Sequence, residues 1–138
     1  MKLILDASAL LAWLQDEPGA ASVEDSLPEA AISSINWSEV WQKALAHGVE
    51  VAGLRADLEA LGLRIVPFDA LDAEEAARLW SAGHGLSLAD RACLALGLRY
   101  QLPVWTADRA WESAGAVLGV EVKVIRPPST ATRLPIRP

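Results

Sequence analysis

Residues 2–14 read KLILDASALLAWL, in which two apolar runs meet at a single carboxylate, Asp6. Lys2–Leu5 is too short for a helix and predicts a strand, whereas Ser8–Gln15 is long enough to predict a helix. A helix that directly follows a strand is typical of parallel sheets with helical crossovers. Asp6 would then lie at the carboxyl end of the first strand, where open parallel sheets form their sites.

The same alternation of strand and helix continues along the chain. Short apolar runs predict further strands at Ala30–Ser33, Leu63–Pro67, Leu102–Thr106 and Val120–Ile125. Helical spacing or turn signals predict helices at Ala20–Leu27, around Trp37–Leu45, and at Val51–Leu61, Asp72–Ser81, Ser87–Tyr100 and Ala110–Leu118. We therefore predict a three-layer α/β/α domain with a mainly parallel sheet of about five strands.

Composition limits the class of protein. With 138 residues, 52% hydrophobic and 22% charged, the chain predicts one compact domain. Cys93, the single cysteine, lies in an apolar helix and is expected to be buried in the protein. A single cysteine also indicates a reducing compartment. Asp6 interrupts the N-terminal apolar run, and no run is long enough for a membrane span, so we expect a cytoplasmic protein without a membrane partner. We predict a domain over residues 1–126 and an extended, proline-rich basic tail over 127–138.

Three more carboxylates lie where an apolar run passes into a helix: Glu39, Asp90 and Asp108. If the strand ends converge, these three carboxylates and Asp6 lie around one cavity. Two carboxylates about 4 Å apart repel each other by roughly 4 kcal/mol at an effective dielectric constant near 20. Such a cluster must bind protons or a cation, and the cation that prefers oxygen ligands is Mg²⁺ or Mn²⁺. The pattern indicates phosphoryl-transfer chemistry.

Each carboxylate also has a purely structural interpretation as a helix cap. Asn36 to Glu39 and Ser87 to Asp90 both match a capping box, and Asp6 and Asp108 could each cap a helix. Glu39 lies nearly opposite the stripe of Trp37 and Trp41 on the helical wheel, so solvent exposure is an alternative for it. Asp90 is the strongest candidate for the site, because a charge in an apolar helix needs a partner.

The charges are divided unevenly between the two halves of the chain. The formal net charge is −6, but residues 1–75 carry a balance of −10 and residues 76–138 a balance of +4. Arg91 and Arg109 each directly follow a candidate site carboxylate. They either lie on the surface without a role or form a cationic rim that binds the phosphates of a nucleic acid.

Four segments together resemble the motifs of PIN-domain ribonucleases, and most of all those of VapC toxins from bacterial toxin–antitoxin pairs. These segments are Leu5–Leu11, Ser33–Val40, Leu86–Leu96 and Val104–Trp111. The resemblance extends from residue 1 to about residue 126 and leaves out the tail. It implies that Asp6, Glu39, Asp90 and Asp108 are catalytic acids. It also implies that Thr106 and Ser8 supply supporting hydroxyls near the metal.

The resemblance therefore implies an endoribonuclease toxin, with RNA as substrate, a cognate antitoxin as partner, and a homodimer as its assembly. We expect Asp6, Asp90 and Asp108 to hold the Mg²⁺ or Mn²⁺, and an antitoxin to cover an apolar groove formed by Ala9–Trp13 and the Trp37/Trp41 helix. Two alternatives remain at this point: another Mg²⁺-dependent phosphohydrolase, or a catalytically inactive binding module of the same fold. His84 is a possible acid or base, but an ordinary loop histidine is the favoured interpretation.

Overall fold

The structure, a computed structural model, describes residues 1–81 and 85–126; over these it has five strands and seven α-helices. The strands are β1 (Leu3–Leu5), β2 (Ala30–Ser33), β3 (Arg64–Val66), β4 (Val104–Thr106) and β5 (Val122–Val124). The helices are α1 (Ala7–Leu14), α2 (Ala20–Ser26), α3 (Ser34–Ala46), α4 (Leu54–Ala60), α5 (Ala70–Arg78), α6 (Leu88–Tyr100) and α7 (Trp111–Leu118). One 3₁₀ turn (Leu27–Glu29) precedes β2.

The sheet is fully parallel, in the order β3-β2-β1-β4-β5. Successive residues of β1 point to opposite faces. Leu3 and Leu5 pack into a core that includes residues of α1 to α4, whereas Ile4 packs into a second core that includes residues of α6 and α7. The predicted three-layer α/β/α fold is therefore confirmed.

The strand order brings the carboxyl ends of two strands together at the centre of the sheet, where a site can form. The chain builds outward from β1 to β2 and β3, and then returns to the other side of β1 with β4. Leu5 and Trp105 are paired in register, so the carboxyl ends of β1 and β4 lie side by side. The loops that follow these two strands depart to helices on opposite faces, which leaves a crevice between them.

Three predictions about local structure need correction. The N-cap of α3 is Ser33, whose hydroxyl accepts a hydrogen bond from the amide of Ile35, so the capping box predicted for Asn36 and Glu39 is wrong. The strand ends at a residue that can itself cap the helix, which moves Asn36 into the first turn. Gly53, with φ +79°, precedes α4 and delays its start to Leu54, while a capping box between Asp69 and Asp72 starts α5 earlier than expected.

The groove predicted for a partner is also partly wrong. Ala9, Leu10 and Ala12 are fully buried in the core, so of the range Ala9–Trp13 mainly Trp13 is accessible. Trp37 and Trp41 are half-buried and contact each other edge to face, with their centroids 5.9 Å apart.

In the part of the chain that the structure describes, no helix has the length and apolar character needed to span a membrane. The predictions for His84 and for the tail over residues 127–138 lie outside the described residues.

Candidate active site

Asp6 is a charged side chain built into the centre of the fold. It follows β1, caps α1 and is only 4% exposed. One carboxylate oxygen accepts a hydrogen bond from the Ala9 amide at 2.8 Å, and the other accepts one from the Thr106 hydroxyl at 2.5 Å. The Ser8 hydroxyl lies 2.8 Å and 3.0 Å from the two oxygens. The capping role predicted for Asp6 is confirmed, and it leaves the carboxylate at the crevice.

Burial and hydrogen bonding act against each other on the acidity of Asp6. As the net result its pKa is raised to about 6, chiefly because the charged form loses its hydration on burial. The donors Thr106, Ala9 and Ser8 lower the pKa, and the negative charge of Asp90 raises it further. The donors hold the side chain in place but compensate only part of the cost of burying its charge. The environment of Asp6 therefore favours a proton or a cation at this position.

One cavity of about 130 Å³ brings the predicted acids together. Its wall is formed by Asp6, Ala7, Ser8, Asn36, Glu39, Lys43, Asp90, Asp108 and Trp111. The four carboxylates come from the end of β1, from α3, from the first turn of α6 and from the loop after β4. They are separated by up to 102 positions in the sequence and meet only because the strand ends converge.

Hydroxyl groups join the two strand ends beneath this cavity. The Ser8 hydroxyl accepts a hydrogen bond from the Ala107 amide at 2.9 Å, and Thr106, which is fully buried, accepts one from the Asp108 amide at 3.0 Å. The carboxylate of Asp108 accepts a hydrogen bond from the Ala110 amide at 2.9 Å. These bonds fix the loop after β4 against the start of α1, so the positions of Asp6 and Asp108 are coupled.

Asn36, which lies on the same helix as Glu39, holds the Glu39 side chain in place. The Asn36 amide nitrogen donates to the carbonyl of Ala89 at 3.0 Å and to the carboxylate of Glu39 at 3.4 Å. Both neighbours are acceptors, so the amide cannot be turned over without losing both bonds. Burial raises the pKa of Glu39, while the bond from Asn36 lowers it. The Asn36 oxygen is buried and has no hydrogen-bond partner among the described residues.

Asp90 is both a helix cap and part of the cavity wall. Its carboxylate accepts a hydrogen bond from the Ser87 amide, and the Ser87 hydroxyl accepts one from the Asp90 amide, which confirms the predicted capping box. One turn further along α6, Cys93 is fully buried behind the acids. Burial raises the pKa of its thiol, and the nearby carboxylates raise it further, so the thiol stays protonated. Cys93 is a core residue, as expected.

Both arginines of the predicted rim have partners within the chain. Arg91 is half-buried and donates to the carbonyl of Ala76 at the end of α5, and its Nε is buried without a partner among the described residues. Arg109 is more exposed and contacts Glu112 and the carbonyl of Arg126. Lys43, for which the sequence predicted no role, does line the acidic cavity. Its spacing of four residues from Glu39 on a helix was the available signal.

The donor set fits a small hard cation. The wall offers carboxylate and hydroxyl oxygens, together with the amide of Asn36, whose buried oxygen lacks a partner. Within residues 1–81 and 85–126, no three acids are drawn together into a complete ligand set. Carboxylates that line one cavity without closing around an ion are compatible with Mg²⁺, because Mg²⁺ keeps several of its waters and binds proteins through one or two carboxylates.

A second, more apolar groove of about 350 Å³ adjoins the cavity. Asp90, Asp108 and Trp111 line both. The groove continues along α7, past Ala110 and Ala114 to the exposed Val117. A chain molecule bound along this groove would therefore pass directly by the acids.

Comparisons with known proteins agree with this architecture. No curated protein matches the chain significantly. Among solved structures, a toxin–antitoxin complex from Klebsiella pneumoniae is similar over 90% of this chain and 98% of that chain, with 21% identity and a TM-score of 0.70. FitAcB from Neisseria gonorrhoeae is similar over 87% of this chain and 95% of that chain, with 24% identity and a TM-score of 0.62.

DNA-bound VapBC from Salmonella typhimurium is similar over 89% of this chain and 97% of that chain, with 18% identity and a TM-score of 0.64. At these identities the three likenesses show a shared fold. A sequence model described as the PIN domain matches residues 3–117, which include all four acids and all the strands except β5. Since this match extends over most of the 138 residues, the chain belongs to the PIN domain family.

Proposed function

We propose that this protein is a metal-dependent endoribonuclease that cleaves phosphodiester bonds in RNA and acts as the toxin of a toxin–antitoxin pair. The observation that carries the proposal is the convergence of four carboxylates on one cavity in a chain of the PIN domain family. The solved structures that share its fold include toxin–antitoxin complexes, which supports the toxin assignment.

The acids have separable roles in this proposal. Asp6, Asp90 and Asp108 would hold Mg²⁺ or Mn²⁺, partly through waters that the ion keeps. Thr106 and Ser8 keep Asp6 oriented by donating to its carboxylate. When bound, such an ion supplies charge neutralisation at a phosphate oxygen and activation of a water. Glu39, whose pKa is raised by burial, is placed to accept a proton at its carboxylate, and Asn36 fixes its orientation.

The adjoining groove is the proposed path of the RNA strand, because it shares Asp90 and Asp108 with the cavity. A strand bound there passes its backbone over the acids while its bases follow α7. Single-stranded segments suit an open groove, since unpaired bases can be bound individually. Arg109 lies near the beginning of α7 and remains the predicted contact of that strand; the same role remains predicted for Arg91.

The test is metal-dependent cleavage of single-stranded RNA by the purified chain. We expect cleavage with Mg²⁺ or Mn²⁺, none in excess chelator, and recovery when metal is restored. Asp6→Asn should abolish cleavage with the fold intact, because the substitution keeps the shape but removes the charge. Lys2→Gln, next to the amino end of β1 and therefore away from the cavity, is the control and should cleave normally. Full activity in excess chelator would exclude the proposed mechanism.

We also propose a cognate antitoxin that occupies the site and a homodimeric toxin. A cationic side chain of the antitoxin among the four acids would replace the charge of the metal. An apolar segment of the antitoxin would pack against the half-buried indoles of Trp13, Trp37 and Trp41. This surface replaces the groove that the sequence predicted, since Ala9–Ala12 are buried.

A further inference from the structure

Lys43 occupies a position that the proposed function leaves unexplained. It lies on α3, one turn after Glu39 and two turns after Asn36, and all three line the acidic cavity. Residues three and four apart share one face of a helix, so α3 presents an amide, a carboxylate and an ammonium group in a row. Of the described residues that form this wall, Lys43 is the one with a cationic side chain.

The ammonium group of Lys43 is not committed to a structural partner. Among residues 1–81 and 85–126, no ion pair within 4.0 Å involves Lys43, and its side chain is exposed. Its charge nevertheless lowers the pKa of Glu39, which agrees with its position on the cavity wall. Lys43 forms no salt bridge with Glu39 that would fix the position of its side chain.

The two arginines that could form a cationic rim each have a partner within the chain, and neither lines the acidic cavity. Arg91 donates into the end of α5, and Arg109 contacts Glu112 and the carbonyl of Arg126. A flexible four-carbon side chain with an unpaired ammonium group is suited to binding a phosphate as a point charge. Four carboxylates repel a polyanion, and a cationic side chain on the same wall offsets part of that repulsion in addition to the metal.

We infer that Lys43 binds a backbone phosphate of the RNA strand next to the one that is cut. The inference rests on the proposed ribonuclease function and adds a substrate contact to it. Lys43 attracts the polyanion to the negatively charged cavity from α3, whereas the groove follows α7 and does not include Lys43. The strand is then bound by Lys43 as well as by the groove.

The experiment measures RNA binding as a function of salt. An Asp6→Asn parent prevents cleavage, and Lys43→Gln, Lys43→Arg and Lys2→Gln are each added to it. Lys2 is a matched control: it carries the same charge but pairs with Glu29 at 3.3 Å, at the amino end of β1. Affinity for a fluorescent single-stranded RNA is followed by anisotropy at several salt concentrations, with Mg²⁺ present.

Lys43→Gln should weaken binding and reduce the slope of log affinity against log salt by about 0.7, the value for one phosphate contact on a single strand. Lys43→Arg should retain most of the slope, and Lys2→Gln should match the parent. Circular dichroism should be unchanged, since Lys43 is exposed.

A salt slope for Lys43→Gln equal to that of the parent would overturn the inference, as would tighter Mn²⁺ binding without any loss of RNA affinity. The second result would mean that Lys43 only offsets the carboxylate charge. Either outcome leaves the proposed function standing if the wild type still cleaves RNA with Mg²⁺. A wild type that neither binds nor cleaves RNA would overturn both.

Discussion

Asp6 shows at the scale of one residue how this fold accepts an unfavourable charge at its centre. Three donors surround the carboxylate, yet burial still raises its pKa to about 6. A carboxylate held in this state destabilises the folded chain near neutral pH and binds a cation more readily than an exposed one would. The price of this arrangement is lower stability, which can be measured.

We predict that Asp6 makes the free energy of unfolding fall as the pH rises through the range between about 4 and 6. The pKa is higher in the folded chain than the ordinary value of 3.8, so the folded state binds more protons in this range and loses that advantage above it. The full effect is about 3 kcal/mol, at about 1.4 kcal/mol for each pKa unit.

Urea unfolding of wild type and Asp6→Asn, in chelator at pH 5 and pH 7, measures this effect. The variant cannot ionise at this position, so the wild type should lose about 1 kcal/mol more than the variant between the two pH values. The comparison cancels the titration of the other carboxylates. Two proteins with the same pH dependence would contradict the assignment of the raised pKa to Asp6.

At the scale of secondary-structure elements, close packing sets where the acids lie. A Cβ atom added to Gly97 of α6 would lie 2.6 Å from the side chain of Val104 in β4. One added to Gly115 of α7 would lie 2.3 Å from the side chain of Val122 and 2.9 Å from the carbonyl of Val120. Both helices therefore approach the sheet at distances that only glycine allows, and they bring Asp90 and Trp111 to the cavity.

We expect Gly115→Ala to lower the free energy of unfolding by about 1–3 kcal/mol, because overpacking outweighs the gain in helix propensity. Ser113→Ala is the control: it lies at an exposed position of the same helix and should have little effect or stabilise slightly. Chemical denaturation measures both. We also expect slower RNA cleavage by Gly115→Ala, since a displaced α7 moves Trp111. A variant as stable as the wild type would show that α7 is not held against β5.

At the scale of the whole molecule, the site forms where the two halves of the chain meet. Asp6 and Glu39 belong to the acidic half, while Asp90 and Asp108 belong to the half with a positive balance. The sheet order places β1 beside β4 and so joins the halves at their strand ends. Neither half contains the complete set of acids, so the proposed site requires both halves of the chain.

The toxin proposal predicts the behaviour of the intact protein. The chain alone should sediment as a homodimer with a two-fold symmetric interface. Its expression should be toxic to a bacterial host, and Asp6→Asn should remove the toxicity because it removes cleavage. Sedimentation velocity and growth curves after induction measure these two properties. A harmless monomer would remove the toxin assignment and leave the ribonuclease to stand on metal-dependent cleavage alone.

The sequence by itself determined the elements and the positions of the acids along the chain. The apolar runs identify all five strands, and the capping roles of Asp6 and Asp90 follow from residues at most three positions away. Such features are local: strand and helix periodicity and hydrogen bonds to the next turn depend on neighbours in sequence. The alternation of strands and helices was then enough to predict the layers and the parallel sheet.

Only the tertiary structure decided which side chains face the cavity. Nothing near Arg91 in the sequence indicates that it donates to Ala76, and nothing near Asn36 indicates that it donates to Ala89, because these partners lie 15 and 53 residues away. The pKa of Asp6 likewise depends on Thr106, a hundred residues later, and on burial in the assembled fold. Side-chain direction and desolvation result from packing between distant segments, so they follow from the assembled fold and not from any one stretch of the chain.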